Sequence, residues 1–196
     1  MNRDIYVVIE HLQGQVADIS FVMLAAARTI AQGTEGQVVS ILLGHDAQEL
    51  ASNLSADRVD YLDHPELAEF TPDAYLKALT KIISDAEPRA VLFGHTSIGA
   101  DIASVLSVRL SLPLVSSCIS FSTDSKFTSQ ICGGKIMTEG SIPEPTALVT
   151  MIPGGYKPEE GQSAQPPDIT TISVDEIDNL RVKLVNYIEP EAGDVD

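Results

Sequence analysis

The chain has 196 residues, 44% of them hydrophobic and 20% charged, which is typical of one globular domain or one domain with an extension. Its 28 acidic and 12 basic residues give a formal net charge of −16. Nucleic acids and anionic membrane surfaces attract clustered lysine and arginine, so this balance argues against both as partners. Solubility explains the charge most simply, and a docking face for a basic partner is the alternative.

The sequence contains neither a zinc-binding spacing of cysteine and histidine nor a secretion signal. Cys118 and Cys132 lie in apolar, strand-like runs and are expected to be free, buried thiols. The first residues lead directly into a strand, without an apolar run of membrane length. We therefore expect a cytoplasmic protein without a metal site.

Strand and helix patterns alternate over the first 110 residues. The predicted strands are 5–9, 38–43, 58–62 and 90–93. The predicted helices begin at Asp18 or Ser20, at 47, at Pro72 and after the strand at 90–93. Residues 10–15 are predicted to be a polar connection. Such alternation with short connections predicts a parallel sheet with helices on both faces.

The second half of the chain has strand-like runs without a helical pattern between them. These runs are 114–121, 128–132, 135–139 and 146–152. We expect them to be extra strands that meet the edge of the sheet in a mixed or antiparallel arrangement. The full pattern predicts an α/β fold of three layers, with a mostly parallel sheet and additional strands in the C-terminal half. The predicted core side chains are Val7, Ile9, Val39, Ile41, Leu43, Val91, Phe93, Val115 and Val149.

The chain divides into four predicted parts. Residues 1–155 form the α/β domain, and 156–167 form a flexible linker rich in proline, glycine and polar residues. Residues 168–188 contain two additional strands, at 168–174 and 180–188. The acidic residues 189–196 carry no core pattern and are expected to lead to a domain that is absent here.

The stretch 90–110 is the strongest candidate for a binding site. A short buried strand leads into a glycine turn and then into a helix, which is half of a βαβ unit. In an open α/β sheet, ligands bind beyond the carboxyl ends of the strands, and this turn offers small residues and hydroxyls there. The candidate cofactor-binding residues are Gly94, Thr96, Ser97 and Gly99. A plain connection that binds nothing is the alternative reading, with Thr96 or Ser97 as the helix cap.

Three histidines follow predicted strands, and their positions predict a shared edge of the sheet. They are His11, His45 and His95. Such a cluster would suit proton transfer, but the sequence does not force a hydroxyl, an imidazole and a carboxylate together, so we assign no catalytic residue. The glycine pair before Lys135 lacks the spacing of a phosphate-binding loop, and the dinucleotide fingerprint is also missing.

Four stretches together resemble the N-terminal domain of the electron transfer flavoprotein alpha subunit. They are the opening 7–11 with Ala25-Ala-Ala-Arg28, the turn and arginine-bearing helix at 91–110, the runs 112–121 and 131–135, and Thr150-Met-Ile-Pro-Gly154. The likeness extends over nearly the whole chain. Each motif is weak alone, and their order and spacing carry the resemblance.

The resemblance implies an adenine-nucleotide-hydrolase-like, Rossmann-like α/β domain that pairs with an electron transfer flavoprotein beta subunit. The heterodimer of that family passes electrons from flavin dehydrogenases to a respiratory or other acceptor, and the alpha subunit is a carrier component rather than an enzyme. FAD lies mainly on a second, C-terminal domain, which we expect to be absent here, so the chain alone is not expected to hold FAD. AMP is expected on the partner, if anywhere.

Two positions depart from the family pattern. Ser116-Ser117 stands where the family often has Ser-Asp, and Ile152 replaces the arginine of Thr-Val-Arg-Pro-Gly. An apolar side chain cannot supply the charge or hydrogen bonds of that arginine. The resemblance therefore favours a scaffold that docks a partner. The alternative is a stand-alone adenine-nucleotide-binding protein of the universal stress type, for which the five-residue separation of Gly94 and Gly99 is a poor match.

Overall fold

A computed structural model describes residues 2–174, 177, 178 and 180–188. Its main feature is a nine-stranded sheet with the order β11-β5-β4-β1-β6-β10-β7-β8-β9, and a separate hairpin pairs β2 with β3. The strands are β1 Ile5–Val8, β2 His11–Leu12, β3 Gln15–Val16, β4 Val38–Gly44, β5 Arg58–Asp63, β6 Ala90–Gly94, β7 Leu114–Phe121, β8 Lys126–Ile131, β9 Ile136–Ser141, β10 Ala147–Met151 and β11 Asp168–Ile172. The α-helices are α1 Asp18–Thr34, α2 Pro72–Ala86 and α3 Ser97–Leu110. This architecture confirms the predicted α/β fold with a mostly parallel sheet.

The sheet separates two apolar clusters. Helix α1 packs on one face, against side chains such as Ile5 and Leu92. Helices α2 and α3 pack on the other, against side chains such as Val91 and Phe93. Eight of the nine predicted core residues are buried, and Val115 is half-buried because β7 adjoins the exposed β8–β9 hairpin.

Strand β10 corrects the prediction for the second half of the chain. It lies between β6 and β7, parallel to both, rather than at an edge. All five of its residues are buried, which is the pattern of a central parallel strand. Only β8 and β9 are antiparallel additions. The sequence concealed this arrangement because β10 returns to the sheet after an intervening hairpin.

Three local predictions were wrong. Residues 10–15, expected to be a plain polar connection, contain β2 and the first residue of β3, which pair as a hairpin. The predicted helix at 47–54 is one short 3₁₀ turn, Gln48–Ala51. No strand forms at 180–188, whose backbone carries the apolar residues of a strand without a neighbouring strand to pair with.

The end of the chain folds back on the α/β core. Strand β11 pairs in parallel with β5, which confirms the predicted strand at 168–174. The segment predicted as a linker contains the 3₁₀ turn Pro158–Gly161, which packs on α1 so closely that a Cβ at Gly161 would lie 1.9 Å from the Phe21 carbonyl oxygen. The division into domains stays a prediction, and the acidic tail 189–196 lies outside the described residues. Within the described ranges, no helix is long and apolar enough to cross a membrane.

Candidate functional site

The candidate site lies at the carboxyl ends of β1 and β6, two neighbouring parallel strands. Glu10 follows β1, and its backbone is fixed by a buried hydroxyl on α1. The Glu10 N–H donates to Ser20 Oγ at 2.8 Å, and the Ser20 hydroxyl donates to the Glu10 carbonyl oxygen at 3.1 Å. This pair of contacts aims the Glu10 side chain across the end of the sheet toward the turn after β6.

The Glu10 carboxylate lies at the start of helix α3. Thr96 Oγ1 is 3.0 and 2.9 Å from its two oxygens, so the threonine hydroxyl donates to the carboxylate. Thr96 Oγ1 also accepts the Gly99 N–H at 3.0 Å, which makes Thr96 the N-cap of α3. The carboxylate thus sits where the helix dipole favours a negative charge.

Two glycines make room for this carboxylate. A Cβ at Gly94 would lie 2.5 Å from Glu10 Oε1. A Cβ at Gly99 would lie 2.7 Å from the same oxygen and 2.2 Å from the Gly94 carbonyl oxygen. Since real side chains do not approach so closely, the glycines serve the close approach of the Glu10 side chain.

Burial has a clear effect on this group. It raises the pKa of the Glu10 carboxyl above its usual range, and the hydrogen bonds from Thr96 and the Gly94 backbone oppose the shift without cancelling it. The group is therefore an acid whose charge is only partly compensated by its surroundings.

The structure brings three of the four candidate residues together. Gly94, Thr96 and Gly99 all surround the Glu10 carboxylate. Ser97 is the first residue of α3 and is exposed, so the choice between the two possible caps is decided in favour of Thr96. Glu10 was not among the residues predicted from the sequence, where its signal is a single acidic residue directly after the first predicted strand.

A second polar group lies beside the first, at the ends of β6, β10 and β7. His95 Nδ1 is 2.9 Å from Thr150 Oγ1, and His95 Nε2 is 3.3 Å from Ser117 Oγ. Thr150 Oγ1 also accepts the Ser117 N–H at 3.1 Å. A neutral His95 that accepts from Thr150 at Nδ1 carries its proton on Nε2 and donates it to Ser117.

This second group borders an open cavity of about 540 Å³. Ile152 and the turn at Cys132, Gly133 and Gly134 complete its wall. The cavity combines an imidazole and hydroxyls with glycine backbone, which are groups that hydrogen bond to a ligand without adding charge. Both cysteines are free, and Cys118 is buried as expected. The prediction of a buried Cys132 was wrong, because this residue lies in the exposed turn after β8.

The three histidines do not form a cluster. His11 Nε2 contacts the Leu43 carbonyl oxygen at 2.6 Å, whereas His45 Nδ1 lies 3.1 Å from Asp63 Oδ1. The hydrogen bond from His45 is the main cause of a lowered pKa at Asp63. His45, Asp46 and Asp63 have ligand atoms within 4.8 Å of one another, but all three are exposed, an arrangement common without a metal ion.

The crevice at α3 does not fit a nucleotide phosphate as it stands. A phosphate at a helix N-terminus needs free N–H groups and space in front of them. Here Thr96 takes the Gly99 N–H, and the Glu10 carboxylate fills the space that Gly94 and Gly99 leave. A second anion at this place would meet a like charge at contact distance.

Residues 5–177 match the family model described as "Electron transfer flavoprotein domain". The chain belongs to the electron transfer flavoprotein domain family. This match covers most of the chain, including the sheet, the three helices and both polar groups, and it confirms the resemblance identified from the sequence. The universal stress alternative is not favoured.

Curated relatives of the electron transfer flavoprotein family give the same result. The chain is 29% identical over 202 residues to the electron transfer flavoprotein subunit alpha of Bacillus subtilis, covering all of this chain and 61% of that protein. It is 35% identical over 125 residues to the acryloyl-CoA reductase electron transfer subunit beta of Anaerotignum propionicum, covering 62% of this chain and 34% of that protein. It is also 28% identical over 144 residues to the lactate dehydrogenase (NAD(+),ferredoxin) subunit LctC of Acetobacterium woodii, covering 70% of this chain and 34% of that protein.

Two features of these relatives limit which of their properties can be assigned to this chain. The chain spans less than two thirds of the length of each of the three. Two of the names describe electron transfer subunits, and two name subunits of enzymes. The family is therefore one of electron transfer components, some of which form part of larger enzymes.

Proposed function

We propose that this chain is an alpha-type docking domain of an electron transfer flavoprotein. It pairs with a beta-type subunit, and the heterodimer accepts electrons from a flavin dehydrogenase and passes them to a respiratory or other acceptor. The chain itself is a carrier component and has no catalytic residue of its own. Its two free cysteines favour the reducing environment of the cytoplasm.

The observation that carries this proposal is the Glu10 carboxylate in the crevice. A stand-alone nucleotide-binding domain of this architecture needs that crevice for its ligand. In this chain Thr96 donates to the side chain of Glu10, which fills the space left by Gly94 and Gly99. Of the four candidate residues, Ser97 alone then offers an exposed side chain to an external ligand. Because the crevice is occupied, we infer that this domain serves to dock a partner subunit rather than to bind a nucleotide.

The same reasoning applies to where the flavin is held. We propose that FAD is held in the assembled complex, on residues outside this chain, and that AMP is held by the beta-type partner. Ile152 supplies no charge, and Ser117 is engaged with His95, so neither departure from the family pattern offers an ionic contact for a flavin phosphate. We propose that His95 and the cavity beside it face an uncharged part of the docked subunit.

Exposed apolar side chains near the end of the described chain support docking. Val185 and Ile188 are 84% and 88% exposed, and three further apolar residues are at least 40% exposed. The three are Val182, Leu184 and Tyr187. Concentrated exposed apolar surface on a soluble domain marks a place where another molecule packs.

Absorbance spectroscopy of the purified chain, alone and after co-expression with a beta-type subunit, tests the proposal. We expect the chain alone to be colourless and to release no nucleotide on heating. With the partner we expect one co-eluting complex by size-exclusion chromatography. Stoichiometric flavin on the chain alone, or two separate peaks after co-expression, would contradict the proposal.

A further inference from the structure

Another open cavity lies away from the crevice, on the face covered by α2 and α3. Its volume is about 560 Å³. Its wall includes residues of α2 from Lys77 to Ala86 and Arg109 near the end of α3, whereas Glu10 and the polar crevice residues lie at the N-terminal end of α3. Helix α3 has 14 residues and is therefore about 20 Å long, which separates the two places.

The wall of this cavity is mainly apolar. Leu62 of β5 lies beside Ile172 of β11 in the sheet, and Ile82 of α2, Val174 and Ile177 line the same cavity. Protein interiors pack closely, and voids much larger than a water molecule are few. A cavity of this size falls in the range of small-molecule sites, which are about 300–1,000 Å³ and mostly apolar with a few polar groups.

Three cations line the cavity, although the chain has only 12 basic residues among 40 charged ones. Two of them have carboxylate partners. Lys77 Nζ lies 3.0 Å from Asp178 Oδ1, and Lys81 Nζ lies 3.3 Å from Asp85 Oδ2. The third is Arg109, near the end of α3.

Arg109 is different from the two lysines. Its Nη1 donates to the Thr80 hydroxyl at 3.3 Å, and among the described residues no carboxylate oxygen lies within 4.0 Å of its guanidinium. Asp60, the buried acid of the same wall, is occupied by Arg58, whose Nε donates to it at 2.7 Å. Among the described residues, Arg109 is therefore the one cation of this wall that has no carboxylate partner.

We propose that this cavity binds an aliphatic carboxylate of medium chain length. The hydrocarbon lies against Ile82, Ile172 and Val174, and the carboxylate pairs with Arg109. The planar guanidinium matches a carboxylate with two parallel hydrogen bonds, which favours this head group. The site is independent of the proposed electron transfer function, since it needs neither flavin nor a partner subunit.

Titration calorimetry of the full 196-residue chain with decanoate tests the site. We expect saturable one-to-one binding to the wild type. Arg109→Gln removes the charge from an exposed position and is expected to weaken binding at least about tenfold, as for the loss of one charge-assisted pair. Arg3→Gln is the matched control, because Arg3 is an exposed arginine that pairs with Glu35 and does not line the cavity.

Two further measurements separate the apolar wall from the charge. Ala86→Phe places a large side chain at the cavity and is expected to abolish decanoate binding, provided that circular dichroism shows a native spectrum. Decanol, the uncharged probe, is expected to bind the wild type and Arg109→Gln equally. No saturable binding of decanoate to the wild type, or equal affinity of the wild type and Arg109→Gln, would overturn the proposal.

Discussion

The two ends of helix α3 differ in one respect. At its N-terminus the chain's own carboxylate, Glu10, fills the space that an anionic ligand would use. Near its C-terminus the cation of Arg109 lies at an open cavity, and no carboxylate of the residues that the structure describes pairs with it. An internal carboxylate therefore fills the space at one end, whereas at the other end the described part of the chain supplies no carboxylate to the cation.

This difference teaches that topology alone does not locate a binding site. The fold directs attention to the carboxyl ends of the strands, where ligands of open α/β sheets bind. The packing at Gly94 and Gly99 shows that this place already has an occupant. The more open space lies on another part of the same helical layer, between α2 and the edge formed by β5 and β11.

Disrupting the packing of helix α3 is expected to have the largest effect on stability. Leu106 is fully buried on α3, so Leu106→Asp buries an unpaired carboxylate and is expected to cost more than about 4 kcal/mol, enough to unfold the domain. Val108→Asp on the same helix is the control, because Val108 is 82% exposed. Thermal denaturation measures both, and a wild-type melting temperature for Leu106→Asp would contradict the packing of α3.

Adding a methyl group beside Glu10, at the N-terminal end of α3, is expected to have a smaller effect on stability. Gly99→Ala forces its Cβ against the Gly94 carbonyl oxygen and the Glu10 carboxylate, and overpacking of this kind costs about 1–3 kcal/mol. Ser97→Ala, two residues earlier and exposed, should change stability by less than about 0.5 kcal/mol. Urea denaturation compares them. If the two variants proved equally stable, the close packing around Glu10 would be wrong.

The charge at the closed end predicts a pH dependence. The pKa of Glu10 is raised in the folded protein, so the folded state holds the proton more tightly than the unfolded chain. This contribution favours folding at low pH and is lost as the pH rises through the raised pKa. In Glu10→Gln that component is missing, so the stability of the variant relative to wild type should increase with pH above about 4.3, the usual glutamate pKa. A constant difference across this range would contradict the shift.

The C-terminal segment beside the open cavity predicts the opposite pH response. Arg181 donates to Asp73 through its Nε at 3.0 Å, its Nη2 at 2.6 Å and its backbone N–H at 2.8 Å. These bonds lower the pKa of Asp73 to about 2, so their stabilisation is present above the usual aspartate pKa and is lost as the pH falls toward 2. Asp73→Asn should therefore be less stable than wild type at neutral pH and nearly equal to it at pH 2. The smallest effect is expected here, because Arg181 is exposed.

Much of the fold could be predicted from the sequence because its signals are local. The apolar runs of β1, β4 and β6 and the helical spacing in α2 each lie within one short segment. The position of β10 depends instead on pairing with β6, more than fifty residues earlier, which no local pattern reveals. The strand expected at 180–188 failed for the related reason that apolar residues alone do not supply a pairing neighbour.

The candidate site was predictable only in part, for the same physical reason. The turn at Gly94 and the cap at Thr96 are local features of a strand followed by a helix. The burial of Glu10 depends on two glycines at least 84 residues away, and an isolated acidic residue after a strand is typical of a solvent-exposed loop. The cavity at Arg109 likewise exists because β11 pairs with β5 and brings Ile172 opposite α2.

Titration calorimetry of the purified wild-type chain with AMP and with FAD tests the central claim most directly, namely that Glu10 closes the crevice and leaves a docking domain. The account predicts no saturable heat of binding for either nucleotide at millimolar concentration. Binding of either one with a micromolar dissociation constant, weakened by Ser97→Ala but not by Arg3→Gln, would show that the crevice admits a ligand and would contradict the account.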